Sequence, residues 1–492
     1  MTASAHSTAQ RATRGTILLA GRSGLVQLAQ VASSLIIARV VVPDAYGAFA
    51  VAVTGVGFAR YIGDLGVSNS LLALPKVTSG LMRSGALISL VCGVVATLVL
   101  FGLAAPLAAI LNGPDYTQLL IRVLALTVLF DSMRFGPIVR LNRELRFGAI
   151  GIASLIETML MYACQIGLLL AGAGVWALVI AQLVRSLSGL AIMTKQAGWV
   201  MPARREPLLA MIRRGIPYQA PGALGAGAGF LFPVILAGSL SADGVGYWAW
   251  ATVLSTPITA LVLVISSVTL PSLVRLRESA PASIPRATTL MLRASILVPA
   301  AASGVLIGFS AVLIQYLFGE RWAPALGAVN MNLIGVIPAT FSFFLAAALE
   351  SEQRAGIRFW VGVAAVLVGL PALIVLSDAW GVTGAGFATA VLMPLVDAVG
   401  LALFAKVALG RAVVGALLAF GLCLGCSVAV QGLVVSVPTL VVLLAGCSVP
   451  AILIVWFSDR EAVRAVLRFG VPLPARVRSL LGIRELPDGM SG

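Results

Sequence analysis

The sequence predicts an all-α integral membrane protein with about fourteen transmembrane helices, arranged as two six-helix lobes plus a C-terminal helix pair. Three observations carry that expectation. Of 492 residues, 60% are hydrophobic and 10% are charged, against about 25% charged in soluble domains, so too little polar material remains to cover a soluble surface. The apolar residues gather in runs of about 20, the length that crosses a bilayer as a helix. The charge of the joints between runs alternates along the chain.

The runs are 15–40, 46–72, 84–106, 116–138, 148–171, 174–197, 216–239, 245–272, 289–317, 327–349, 356–377, 380–405, 411–431 and 437–457. Each crossing inverts the chain, so the joints fall into two sets. One set is basic: Arg11 and Arg14; Lys76 and Arg83; Arg140, Arg143 and Arg146; the group from Lys195 to Arg214; Arg275, Arg277 and Arg286; Arg354 and Arg358; Lys406 and Arg411; and the tail from Arg460 to Arg484. The other set is short and mostly acidic, with Asp44, Asp115, Asp243, Glu320 and Asp378 against Arg39 and Arg321. The positive-inside rule puts the basic set and both termini in the cytoplasm. A multi-pass protein of the bacterial cytoplasmic (inner) membrane is expected. The formal charge of +15 belongs to these joints, so no nucleic-acid partner is expected.

The same inventory argues against an enzyme. His6 is the only histidine, which excludes a His-based metal site and a Ser-His-Asp triad. There is no GxxxxGK[ST] loop for nucleotide phosphates, and no cofactor is expected. Cys423 and Cys426 form a CxxC inside an apolar run without further ligands, and read as small packing residues. The outer joints are too short to hold a catalytic domain, so any chemistry lies between helices.

The second half restarts like the first. Arg14-Gly15-Thr16-Ile17 opens span 1, and Arg214-Gly215-Ile216-Pro217 opens span 7. Asp44-Ala45-Tyr46-Gly47 begins span 2, and Asp243-Gly244-Val245-Gly246 begins span 8. Gly172-Ala173-Gly174-Val175 and Gly384-Ala385-Gly386-Phe387 mark spans 6 and 12. Six helices intervene each time, so the copies share an orientation about an axis along the membrane normal. The expected organisation is a cytoplasmic tail (1–14), a first lobe (15–197), a cytoplasmic linker (198–215), a second lobe (216–405), helices 13 and 14 (406–457) and a basic cytoplasmic tail (458–492). Met201–Arg214 and Asp459–Leu481 read as interfacial basic stretches that anchor on lipid.

A charge at the bilayer centre costs roughly 2.5–3.5 kcal/mol on insertion scales. Charges that persist there face a wet cavity or a partner. The first lobe holds Arg22, Arg60, Asp64, Arg122, Asp131, Glu157 and Arg185; the second holds Asp397, with polar Gln219 on span 7. Depth makes Arg22 level with Asp64, puts Arg60 and Asp64 one turn apart on one face, and makes Glu157 level with Arg185. These are either structural pairs or parts of a lumen. Arg122 has no partner at its depth. Excess arginine suggests an anionic ligand, because the guanidinium fork suits phosphate. Arg22, Arg60, Arg122, Arg185 and Gln219 are therefore the candidate substrate contacts, and Asp64, Asp131, Glu157 and Asp397 the candidate carriers of a coupling ion. Pro217, Pro221 and Pro233, with Gly222, Gly225, Gly227 and Gly229 among them, mark span 7 either as a bending helix or as a close-packed one.

The run Ala38-Arg39-Val40-Val41-Val42-Pro43-Asp44-Ala45-Tyr46-Gly47, followed by Gly63-Asp64-Leu65-Gly66, resembles the N-terminal signature of the oligosaccharide/polysaccharide flippases. These belong to the superfamily that also holds multidrug extruders and the peptidoglycan lipid flippase. Leu141-Asn142-Arg143-Glu144-Leu145-Arg146-Phe147 and Gly174-Val175-Trp176-Ala177-Leu178 are similar to later segments of that family. The resemblance covers roughly residues 10–410. It implies two six-helix lobes around a central cavity. It also implies alternating access that moves a polyprenyl-diphosphate-linked oligosaccharide across the cytoplasmic membrane, with Arg22 and Arg60 where a diphosphate is held. The expected partners are that lipid-linked substrate, membrane lipids and the polysaccharide polymerase machinery. The alternative is a cation-coupled multidrug extruder of the same fold, which calls for a lumen of carboxylates and aromatic rings.

Overall fold

The computed structural model describes residues 26–433, apart from 64, 280 and 406, and scattered positions between 439 and 447. Arg22, Asp64, most of the span expected at 437–457 and the tail beyond it lie outside the described residues. Among the described residues every regular element is helical. Seven stretches are long and apolar enough to cross a membrane by length and composition, and the expected spans 2, 4 and 8 are broken into shorter helices.

The first lobe contains α1 (Val26–Val40), α2 (Pro43–Ile62), α3 (Val67–Ala73), α4 (Ser79–Leu111), α5 (Thr117–Met133), α6 (Phe135–Arg143), α7 (Phe147–Leu170) and α8 (Trp176–Ala197). Expected span 2 becomes α2 and α3, broken where Gly66 takes φ +75°, a conformation glycine adopts without a Cβ penalty. Expected span 4 becomes α5 and α6, with Arg134 at the joint. Arginines at the basic joints close helix ends. Arg143 donates to the carbonyls of Leu71, Leu74 and Pro75 at the end of α3, and Arg140 donates to that of Ala197 at the end of α8. Cations belong there, because the last carbonyls of a helix lack partners and carry its negative pole.

The second lobe contains α9 (Leu208–Ser239), α10 (Ala242–Trp250), α11 (Thr256–Ser279), α12 (Ile284–Leu313), α13 (Leu326–Ser351), α14 (Ala355–Gly386) and α15 (Met393–Ala405). α9 runs without a break through its Pro- and Gly-rich stretch. A Cβ on Gly225 or Gly229 would meet open space, so close packing does not explain those two glycines. The chain from 356 to 405 is not one rod. Gly381 sits at φ +58°, and a Cβ on Gly384 would overlap the Leu376 carbonyl, so the chain doubles back there. α16 (Gly410–Val430) lies against α12. A Cβ on Gly304 would strike the Phe420 backbone, and one on Gly308 would strike Ser427. Small residues let helix backbones approach in the absence of a hydrophobic driving force.

Each lobe has its own packed centre, around Leu120, Leu124 and Leu178 in the first and Leu292, Phe309, Phe344 and Leu401 in the second. Large apolar side chains such as Leu98 and Leu403 are exposed on the rim, as a bilayer requires.

The lobes meet at both membrane faces. At the face of the acidic joints, the two Asp-x-x-Gly copies pack on one another. A Cβ on Gly47 would overlap the Ala242 carbonyl, and a Cβ on Gly246 would overlap the Pro43 carbonyl. This reciprocity is the mark of a two-fold relation. Tyr46 and Tyr247 both set their edges against Trp322, at 5.9 and 6.0 Å and 86° and 87°. Trp322 donates to the Ala38 carbonyl at 2.8 Å. Arg39, an exception to the charge pattern, donates to the carbonyls of Tyr316 and Leu317. At the basic face, Gly66 and Gly215 touch backbone to backbone.

Candidate functional site

The break between α5 and α6 leaves Arg134 at a helix joint inside the first lobe. Its guanidinium lies 2.8 Å from the Glu157 carboxylate on α7 and 3.4 Å from that of Asp131 on α5. Asp131 is shared, because Arg60 of α2 reaches its other oxygen at 2.5 Å. Arg60 also donates to Ser186 of α8 at 3.4 Å. Arg185, next to Ser186, is half-buried and close enough to interact electrostatically with Arg60 and Glu157. Arg134 and Glu157 are 8% and 4% exposed, which makes theirs a buried pair. Room for it comes from Gly189 of α8, where a Cβ would overlap the Glu157 carboxylate and lie 2.8 Å from the Arg134 guanidinium carbon.

The cluster thus joins Arg60, Arg134 and Arg185 to Asp131 and Glu157. Among the described residues three cations face two anions, which leaves one positive charge uncompensated within this group. A buried network of this kind is stable only when its charges are paired and bonded. A cavity of about 300 Å³ opens beside it, lined by Arg60, Asp131, Gln219 and the hydroxyls of Ser68, Ser89 and Ser132. Gln219 donates to the Tyr61 carbonyl across the lobe boundary.

A second, larger cavity of about 750 Å³ lies mainly in the second lobe. Tyr61 lines both, so the two are neighbours. Gly225 borders it, where the missing side chain leaves space. Asp397 of α15 accepts from the Ser342 hydroxyl of α13. Glu350 and Arg358 pair at its edge. Among the described residues no cation bonds Asp397.

The structure brings together Arg60, Asp131, Glu157, Arg185 and Gln219 and leaves two other expected site residues apart. Glu157 bonds Arg134, not Arg185, which corrects the pairing expected from depth. Depth gives the level of a residue but not its direction around the helix. Arg60 bonds Asp131; its expected neighbours Asp64 and Arg22 lie outside the described residues. Arg122 is separate, about 13 Å along α5 from Asp131 at the usual helical rise, and its buried Nε has no hydrogen-bond partner. Arg134 was not among the expected site residues. The signal for it was Asp131-x-x-Arg134, a carboxylate and a guanidinium one turn apart.

The sequence profile of the family described as "Polysaccharide biosynthesis protein" matches residues 36–326. The succinoglycan biosynthesis transport protein ExoT of Rhizobium meliloti (strain 1021) is 31% identical over 169 residues, which are 33% of this chain and 33% of that one. The matched stretch therefore spans only about a third of the relative's length. Among solved structures, the fold is similar to the lipid II flippase MurJ in an inward closed conformation, with TM-score 0.76, 9% identity, 91% of this chain covered and 100% of the other. It is also similar to an inward-facing multidrug resistance MATE family transporter of the MOP superfamily, with TM-score 0.62, 14% identity and coverage of 79% and 95%. At these identities the likeness is one of fold.

Proposed function

The chain belongs to the polysaccharide biosynthesis protein family, a family of multi-pass membrane flippases, and from that premise we propose that it carries a polyprenyl-diphosphate-linked oligosaccharide across the cytoplasmic membrane for surface polysaccharide. On this reading residues 15–197 and 216–405 are the two lobes, 198–215 links them in the cytoplasm, and both termini are cytoplasmic. The lobes alternate access to the leaflets while the polyprenyl tail stays in lipid. Membrane lipids and the polymerase machinery are its expected partners.

The observation that carries the proposal is the surplus guanidinium beside the first-lobe cavity. A diphosphate is a multivalent anion with oxygens spaced for Arg forks. It competes with Asp131 for Arg60, and Arg185 and Gln219 stand beside the same group. Asp131, displaced from Arg60, keeps only the longer contact to Arg134 and more readily takes up a proton, which links binding to a proton gradient. Collapsing that gradient should slow transport; unchanged transport removes the coupling. A drug extruder calls for carboxylates and aromatic rings, which describes the second-lobe cavity alone; the cationic first lobe and the family membership favour the flippase.

Arg60→Ala should abolish surface polymer while the protein stays in the membrane at its normal level, as read by polysaccharide staining and immunoblot. Wild-type polymer in that variant would defeat the diphosphate assignment.

A further inference from the structure

We propose that the second-lobe cavity binds the sugar chain of the substrate, and that it is built for uncharged sugars. The inference rests on the reading of the first-lobe cluster as the diphosphate site. Tyr61 lines both cavities, so a molecule with its diphosphate at Arg60 projects its next groups past Tyr61 into the larger space. That space, about 750 Å³, falls within the roughly 300–1,000 Å³ of small-molecule sites.

The lining suits a pyranose chain. Tyr61, Phe343 and Phe359 supply aromatic rings, whose negative faces attract the C–H faces of sugars. Ser342, Thr389 and Asp397 supply oxygen acceptors for sugar hydroxyls, and a bond to a carboxylate is the stronger kind. The charge balance decides which sugars enter. Glu350 is neutralised by Arg358. Asp397 is held by the Ser342 hydroxyl and, among the described residues, by no cation. Among the described residues the cavity thus has two carboxylates to one cation, Arg358, which disfavours uronic or phosphorylated sugars and leaves the diphosphate on the arginine side.

The test uses the full chain in lipid nanodiscs and three probes: undecaprenyl diphosphate, the same lipid bearing four glucoses, and the same lipid bearing four glucuronic acids. Wild type binds the glucose-bearing lipid at least tenfold more tightly than either other probe. Asp397→Asn weakens that binding about tenfold, the size of one charge-assisted hydrogen bond, and Phe359→Leu does so by a similar factor, the size of one aromatic contact. Both leave undecaprenyl diphosphate unchanged, which also reports a folded protein. If both variants weaken all lipids equally or weaken none, or if the glucuronate chain binds as tightly as the glucose chain, the assignment is overturned. Saturable binding of tetraphenylphosphonium that Asp397→Asn removes would make the cavity a cation site and overturn it too. Failure of the diphosphate reading looks different: Arg60→Ala would leave undecaprenyl diphosphate binding intact.

Discussion

The two lobes build opposite environments from repeated helices. In the first, Arg60, Asp131, Arg134 and Glu157 form a tight ion network beside a small cavity of about 300 Å³. In the second, Asp397 and Ser342 border a cavity of about 750 Å³ among aromatic rings. Arg134, Glu157, Ser342 and Asp397 all lie roughly two to three helical turns from the basic face. Depth is therefore shared, and composition differs. A paired network fixes charges in place, whereas a roomy cavity leaves its groups available. Helices supply the frame in both, and a few buried residues decide what each half receives.

That contrast can be broken first at Arg134. Arg134→Ala leaves Glu157 buried without its cation and Asp131 with Arg60 alone, a loss of about 3–5 kcal/mol. The expected result is a large fall in the amount of folded protein on detergent gel filtration. The same test of Asp397→Ala should show little change, and equal losses would erase the distinction. A smaller effect is expected at Gly189. Gly189→Ala wedges a methyl group against the Glu157 carboxylate, which overpacking values put at about 1–3 kcal/mol. Thermal unfolding followed by tryptophan fluorescence would register it as a lower midpoint with partial retention of transport. The smallest is Ser342→Ala, which removes one hydrogen bond to Asp397 for about 1 kcal/mol. Unfolding should barely move, and a loss as large as at Gly189 would mean that the second lobe is as tightly networked as the first.

Much of this was legible in the residues. Apolar run length and alternating charge lead to the helical class, and the surplus of arginine in one lobe points to Arg60 and its cavity. The quoted family motifs turn out to serve joints: Arg143 closes α3, Gly66 turns the chain between α2 and α3, and Pro43 starts α2. The partner of Glu157 was misjudged because a count along each helix ignores rotation and cannot see that α5 ends at Met133. The local sign was Gly136-Pro137 just past the joint, since Pro137 has no N–H to donate back to Met133. The larger cavity was hidden for a similar reason. Its lining comes mainly from five helices, α2, α9, α13, α14 and α15, and only Asp397 stood out in sequence as a charge inside a span.

The contact between Gly47 and Gly246 has a mechanical consequence. Where main chain rests on main chain, the contact itself has no side chains to interlock, but Tyr46, Tyr247 and Trp322 close around it, so the seam parts only if they move as well. It also has no slack, since a single added methyl on either strand of the seam would hold it ajar.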